Sequence, residues 1–462
     1  MIRLFKHYVP HAVLLLGMLD FFLLLTAAEG GWLLRARQIG MEVDYILNRT
    51  GPLLSFALAL QTGMIAVGVY GTEALQSIRF AFARLLVAIS LGVIFLSVMH
   101  FIMPGMTLWR SNSLYAMGLA VLLLVMVRLM LGSMLGGEAF KRRLIVLGAG
   151  NRANRIRDLE QRRGAGFLVV GYIGMNDGPQ VVAEAINRSA IYNLGDFVVK
   201  LGASEVVLAL EERRNAVPLG DLLRIKTTGV HVNEISTFLE RETGRVDLDS
   251  VNPSWLIFSD GFSAGRRLST IAKRFFDIVA SLLLLTLTGP IILLAAILVK
   301  LDSKGPAFYR QQRVGLFGQE FWIVKLRTMR QDAEVAGQAV WAEQDDPRIT
   351  RLGHWLRKLR IDELPQTWTV LKGEMSFVGP RPERRQFVED LEQHLRYYAE
   401  RHMVKPGITG WAQINYPYGA SIEDSRNKLE YDLYYAKNYT PFLDLLILIQ
   451  TVRVVLWPDG AR

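Results

Sequence analysis

Four apolar runs crowd the first third of this chain, and each is close to the length a helix needs to cross a bilayer. They cover about residues 9–28, 52–70, 85–103 and 114–131. A hydrocarbon core of about 30 Å takes about 20 helical residues, and inside it every backbone polar group must bond internally. The pattern predicts four transmembrane helices over residues 1–138. No small-residue cleavage site follows the first run, so it reads as an anchor rather than a signal peptide. Arg3, Lys6, Arg79, Arg84, Lys141, Arg142 and Arg143 fall on one side, against Arg35, Arg37, Arg49 and Arg110 on the other. The larger set marks the cytoplasm, so both ends of the bundle point there. Arg128 lies inside the fourth run, where it faces a partner helix or snorkels.

The totals agree. Of 462 residues, 51% are hydrophobic, and 53 basic against 43 acidic side chains leave a charge of +10. That hydrophobic fraction excludes disorder. A greasy and basic chain suits a membrane protein that handles phosphate or anionic lipid. With no cysteine, disulfides, zinc–thiolate sites, iron–sulfur clusters and a Cys nucleophile are all excluded.

Beyond Arg143 the pattern changes. Residues 144–147, 166–173 and 205–210 read as buried strands with helical stretches between, which predicts a small Rossmann-like α/β domain over residues 139–262. Gly148-Ala149-Gly150-Asn151-Arg152-Ala153 has the G-x-G-x-x-A form that seats a pyrophosphate on a helix N-terminus. The acidic residue expected about 20 positions on is missing, and Asp177 comes late. A degenerate domain with a packing or regulatory role stands beside dinucleotide binding. Gly261-Phe262-Ser263-Ala264-Gly265 matches the hydrolase elbow G-x-S-x-G, but Arg266-Arg267 and a membrane segment follow where a buried helix is required.

Residues 263–300 form a basic linker and a fifth hydrophobic segment. From Phe275 to Val299 its only charge is Asp277, and Gly289-Pro290 predicts a kink. Arg266, Arg267, Lys273 and Arg274 precede it, while Lys300, Lys304, Arg310 and Arg313 follow it. Basic flanks at both ends favour a helix that enters and returns on the cytoplasmic side over a straight span.

Residues 301–462 are dense in Arg and Lys set among turn residues, as in Gly379-Pro380-Arg381-Pro382 and Lys405-Pro406-Gly407. Arginines fixed on such turns suit bidentate phosphate binding; a solvated basic face against anionic lipid is the alternative. Asp362 and Glu363 stand amid this charge, before a helix predicted from Pro365 to about Lys372 and stopped by Gly373. The helix dipole is expected to keep both ionised with lowered pKa values. Such carboxylates hold Mg²⁺ or attack phosphorus, or simply form a structural salt bridge. Residues 441–456 are too short and too polar, at Asp444 and Arg453, for a span and predict an interfacial helix.

Longer motifs decide between these. Lys273-Arg274-x-x-Asp277, Lys325-x-Arg327-Thr328-Met329, Asp362-Glu363-Leu364-Pro365-Gln366, the run from Gly373 to Pro382 and the run from Lys405 to Gln413 resemble the monotopic phosphoglycosyl transferases, the bacterial initiating sugar transferases. The four spans and degenerate α/β domain resemble their large, WbaP-like subgroup. Residues 419–435 look like the exopolysaccharide branch associated with PEP-CTERM sorting. The family helix commonly breaks at Ser-Pro; here Thr288-Gly289-Pro290 stands in that place.

The resemblance implies a four-helix transmembrane bundle, a Rossmann-like domain and a monotopic α/β catalytic domain with a re-entrant membrane helix marked by Lys273, Arg274, Asp277 and Pro290. It implies transfer of a sugar-1-phosphate from a UDP-sugar to undecaprenyl phosphate, with release of UMP. Asp362 would be the nucleophile and Glu363 the Mg²⁺ ligand, with Arg357, Arg381, Lys325, Arg401 and Lys405 on substrate phosphates. The site would lie on the cytoplasmic face of the bacterial inner membrane, in a homodimer. A membrane-anchored nucleotide-sugar dehydratase would need a Tyr-x-x-x-Lys pair, which the chain lacks. A non-catalytic export scaffold would need no Asp362-Glu363. Nucleic acid is not an expected partner, because the tyrosines of 431–439 sit beside acids rather than interleaved with bases.

Overall fold

The structure, a computed structural model, describes residues 2–4, 7–9, 11–41, 45–70, 78–135, 141–162, 165–175, 178–212, 217–251, 267–330, 348–417, 419 and 421–456. They fall into two compact units that divide after Thr243.

In the first unit, α1 (His11–Ile39), α2 (Thr50–Val67), α3 (Ile78–Ile102) and α4 (Arg110–Leu135) match the four apolar runs. Val13–Ile39, Ile46–Val67, Ala81–Ile102 and Pro104–Met130 are each long and apolar enough to cross a membrane, as is Ser269–Asp302. Leu15, Phe22, Leu86, Ile94, Leu122 and Met126 stand exposed, an apolar surface that lipid covers and water does not tolerate. The chain is a membrane protein. Small residues let the helices close up: a Cβ on Gly31 would lie 2.3 Å from the Ala116 nitrogen, and one on Gly63 2.5 Å from the Ala88 oxygen. Arg128 faces a partner helix. Its guanidinium donates to both oxygens of Asp20 on α1, at 3.0 and 2.7 Å, with both side chains buried.

The same unit holds a five-stranded parallel sheet of β1 (Arg142–Leu147), β2 (Phe167–Gly174), β3 (Ile186–Asn187), β4 (Glu205–Leu208) and β5 (His231–Glu234). Its order, β3-β2-β1-β4-β5, is that of the first five strands of a Rossmann fold. The Gly148–Gly150 turn leads from β1 into α5 (Asn151–Glu160) as expected, but its anion seat is filled from within. The Glu211 carboxylate accepts the Arg152 N–H at 2.9 Å, and a Cβ on Gly150 would lie 2.7 Å from that carboxylate. Asp177 and the G-x-S-x-G stretch lie outside the described residues.

The second unit starts ahead of the expected boundary at residue 262. Val246 and Val251 are buried in its core, the Val246 N–H donates to the Glu430 carbonyl at 3.0 Å, and Trp411 Nε1 donates to the Gly244 carbonyl at 2.7 Å. Next comes α6 (Arg267–Asp302), a single helix of 36 residues. Pro290 does not divide it, and the Thr288 hydroxyl donates back to the Leu284 carbonyl at 2.7 Å.

Both ends of α6 are tied to the unit that follows. Near its start, Arg274 donates to the carbonyls of Val370 and Leu371, and Asp277 accepts from Ser376 Oγ and the Phe377 N–H. At its end, Arg327 donates to the carbonyls of Val299, Ser303 and Lys304, while Ala295, Ala296 and Val299 pack on Ala307, Leu326 and Leu356.

Beyond α6 lie an antiparallel hairpin, β6 (Phe308–Val314) and β7 (Glu320–Leu326), then α7 (Arg351–Lys358) and α8 (Gln366–Lys372). A short parallel pair follows, β8 (Ser376–Val378) with β9 (Gly407–Thr409). The last helices are α9 (Ile422–Asn438) and α10 (Pro441–Leu456). Phe377, Trp411, Leu433, Tyr434 and Tyr435 fill the core. Helix α10 buries Leu443 and Ile447 in that core.

Arg128→Leu leaves Asp20 buried without a counter-charge and is expected to cost about 3–5 kcal/mol, read as earlier thermal unfolding in nanodiscs. Replacing Asp20 by Leu as well should recover most of the loss. A double variant as unstable as the single would show that the pair is not the cause.

Candidate active site

The two acidic residues owe their position to a chain reversal. Helix α7 starts on Thr350, whose hydroxyl accepts the Gly353 N–H at 2.9 Å, and it ends at Lys358. Arg360 then takes a left-handed conformation, φ 56°, uncommon for a residue with a Cβ. That turns the chain into one 3-10 turn, Ile361–Glu363, which carries both carboxylates. Pro365 precedes α8, and Gly373, φ 94°, stops it as expected.

Cations surround Glu363. Lys325 Nζ on β7 donates to its Oε1 at 2.8 Å, Arg381 approaches the same oxygen at 3.5 Å, and Arg360 lies 3.5 Å from Oε2. Burial opposes its charge, but Lys325 and Arg381 outweigh burial and hold Glu363 well below the usual carboxylate range. Asp362 behaves oppositely. It is buried, and its Oδ1 has no hydrogen-bond partner among the described residues. Burial and then the neighbouring Glu363 push its pKa up, against the pull of Lys325, Arg357 and Arg360. The expectation that the helix terminus lowers both pKa values is therefore corrected for Asp362: α8 has only seven residues, and desolvation dominates.

The remaining predicted residues divide into three groups. Lys325, Arg357 and Arg381 join the carboxylates; Arg357 Nε is aimed by a 2.9 Å bond to the Thr328 hydroxyl. Arg401 does not join them as a free phosphate ligand. It is buried, with Nε and Nη2 on Asp432 at 3.0 and 2.7 Å and Nη1 on the Tyr398 hydroxyl. Its Nη2 also donates to the Arg381 carbonyl at 2.9 Å, so it holds the main chain that carries Arg381. Lys405 is half-buried and senses Arg274, Asp277 and Lys273 at the start of α6. There Lys273 Nζ donates to the Val378 carbonyl at 2.9 Å and to Asp444 at 2.6 Å, and Tyr435 bonds the same carboxylate. Pro290 is exposed, further along the helix.

Sequence reasoning missed Arg360, Thr328, Asp432 and Asp444. Thr328 stood inside a matched motif, and Arg360 directly precedes the acidic pair. Asp432 and Asp444 gave no local signal, because their partners Arg401 and Lys273 lie far away in the chain. Among the described residues no group of three or more His, Asp or Glu gathers around one point. A hard cation such as Mg²⁺ needs only one or two carboxylates when substrate phosphates complete its shell, and the open Asp362 Oδ1 beside Glu363 fits that donor set.

Comparison with known proteins bears on this geometry. Residues 268–458 match the family described as bacterial sugar transferase. A UDP-N-acetylgalactosamine-undecaprenyl-phosphate N-acetylgalactosaminephosphotransferase of Aeromonas hydrophila is 44% identical over 232 residues, 50% of this chain and 53% of that protein. An undecaprenyl-phosphate glucose phosphotransferase of Komagataeibacter xylinus is 42% identical over 196 residues, 41% of this chain and 37% of that protein. The uncharacterized sugar transferase EpsL of Bacillus subtilis is 44% identical over 192 residues, 42% of this chain and 91% of its own length. Thus the match spans about half or less of the first two relatives.

Asp362 also sets a pH dependence. Its folded pKa lies above the unfolded value, so the folded state binds the extra proton and stability falls as pH rises between the two. Asp362→Asn removes that titration. It should unfold at a higher temperature than the parent at neutral pH, with the advantage vanishing below about pH 4, where both states are protonated. An Asn variant no more stable at pH 7 than at pH 4, relative to the parent, would contradict this.

Proposed function

The chain belongs to the bacterial sugar transferase family, and on that premise we propose that it transfers a sugar-1-phosphate from a UDP-sugar to undecaprenyl phosphate. The observation that carries the reading is the buried Asp362 Oδ1, unpartnered among the described residues, one residue from a carboxylate that Lys325 and Arg381 keep ionised. An oxygen with no hydrogen bond to break is prepared to attack.

In this reading Asp362 attacks the sugar-bearing phosphorus of the UDP-sugar. The bond from that phosphorus to the bridging oxygen breaks, and UMP leaves with the electron pair. The phospho-sugar stays on Asp362 as an acyl phosphate. A phosphate oxygen of undecaprenyl phosphate then attacks the same phosphorus, frees the Asp362 carboxylate and yields undecaprenyl-diphospho-sugar. Phosphoryl transfer asks mainly for positioning and charge neutralisation. Lys325, Arg357 and Arg381 supply the positive charge around Asp362 and Glu363. Glu363 would hold Mg²⁺, which when bound neutralises diphosphate charge.

The same reading includes a topology: a re-entrant α6, with the site on the cytoplasmic face of the inner membrane. Supporting it, Arg327 at one end of α6 and Ser376 and Phe377 near the other belong to one unit, and basic residues flank both ends. A site there meets a cytosolic UDP-sugar and a membrane-borne phosphate together. The likeness of residues 419–435 to the exopolysaccharide, PEP-CTERM-associated branch supports reading the reaction as the initiating step of exopolysaccharide synthesis.

UMP release should be measured with UDP-glucose, UDP-galactose and their N-acetylated counterparts, with undecaprenyl phosphate and Mg²⁺. At least one sugar should give turnover that chelation abolishes, and Asp362→Asn should lower it by about 10³-fold or more, as loss of a nucleophile does. Silence with the whole panel, or turnover surviving in the variant, would overturn the reading. For topology, the chain has no cysteine of its own, so a single one placed at Ser421 should label from the cytoplasmic side only. Labelling from the periplasm would rule out this orientation.

A further inference from the structure

Five charged side chains meet at the start of α6, and one of them is left over. Lys273 is matched by Asp444 and also donates to the Val378 carbonyl. Arg274 spends its guanidinium on the last carbonyls of α8. Asp277 is held by Ser376 and Phe377. Lys405 makes no hydrogen bond or ion pair among the described residues, although it is half-buried. Three cations against two carboxylates leave one positive charge in excess, and Lys405 is where it stands free.

The main chain fixes where Lys405 lies. The Pro406 carbonyl accepts the Ser376 N–H at 2.9 Å, next to the β8–β9 pairing of Ser376 with Gly407. Ser376 is the residue that donates to Asp277 on α6. On the other side, a Cβ on Gly379 would lie 2.2 Å from the Lys405 carbonyl oxygen, and the Gly407 N–H donates to the Pro380 carbonyl at 2.9 Å. Arg381, whose guanidinium reaches Glu363, is the next residue. Lys405 thus stands between the carboxylate site and the stretch where α6 passes from basic to apolar sequence, the level of a membrane surface. Burial and the neighbouring Arg274 already pull its pKa below the ordinary lysine range. A half-buried ammonium among other cations is costly until an anion joins it.

We infer that Lys405 seats the phosphate of the lipid-borne acceptor, apart from the Lys325, Arg357 and Arg381 set beside Asp362. This rests on the transfer reaction proposed above and divides its two substrates between two cation sets. The ligand chemistry is a phosphate ester carried on a membrane anchor, which bulk anionic phospholipid shares with undecaprenyl phosphate.

The test uses the full chain in nanodiscs, made from phosphatidylcholine with or without phosphatidylglycerol. When a covalent intermediate separates two half-reactions, kcat/KM for each substrate reports its own half. Lys405→Met should lower kcat/KM for undecaprenyl phosphate by about 10–100-fold, the scale of one charge-assisted hydrogen bond. The UMP burst without acceptor, and kcat/KM for the UDP-sugar, should keep their parental values, and Lys405→Arg should recover part of the loss. Lys405→Gln serves if the Met variant does not fold. An equal fall in kcat/KM for the UDP-sugar would assign Lys405 to the donor and overturn the inference. A defect seen only in discs containing phosphatidylglycerol would assign it to bulk headgroups, which also overturns it. Absence of a UMP burst in the parent with every sugar would instead strike the transfer reaction itself, and the inference with it.

Discussion

Hydrophobic burial has no direction, so lipid alone would let an apolar helix slide and turn beneath whatever is attached to it. In α6 the direction comes from hydrogen bonds at the ends. Asp277 is held by Ser376 and Phe377, Arg274 grips the last carbonyls of α8, and Arg327 grips the Val299 carbonyl in the last turn of α6 and those of Ser303 and Lys304 just beyond it. Helix α8 follows directly on Asp362 and Glu363. The bonds that fix the membrane helix therefore also fix the height of the two carboxylates relative to the apolar stretch. Had these contacts been apolar, the pairing of depth and site would be loose.

Two adjacent carboxylates in one turn meet opposite fates. Glu363 lies within reach of Lys325, Arg381 and Arg360, so its charge persists despite burial. Asp362, one residue earlier, keeps an oxygen with no partner among the described residues and bears the cost of burial plus the repulsion of its neighbour. A chain reversal at a left-handed Arg360 brings this about, since it sends successive side chains of a 3-10 turn into different surroundings. The outcome is one anion that organises cations and one that is destabilised until something binds.

The spans, strands β1, β2 and β4 of the α/β domain and the α8 boundaries were all legible in the chain, because each depends on local periodicity or on a terminating residue. Cation identities around the acidic pair came from motif resemblance, and Lys325, Arg357 and Arg381 do gather there. What local reasoning missed is pairing across distance. Arg401 is expected on substrate phosphate until Asp432 is seen to take its guanidinium, and Asp444 reads as an obstacle to a membrane span until Lys273 meets it. The pKa of Asp362 failed for another reason: a dipole argument needs a helix of some length and an exposed carboxylate, and the structure provides neither.

Gly373 answers to two masters. Its backbone lies at φ 94°, where a Cβ is strained, and a Cβ built there would also lie 3.2 Å from the Arg274 guanidinium. That guanidinium is the tether between α6 and α8. A side chain at 373 would thus press at once on a helix terminus and on the fastening of a membrane helix, through independent mechanisms. Relief of one does not relieve the other, since Asn or Asp, which ease the backbone strain, still carry the offending carbon. At this position glycine is the residue that meets both demands without asking Arg274 to move.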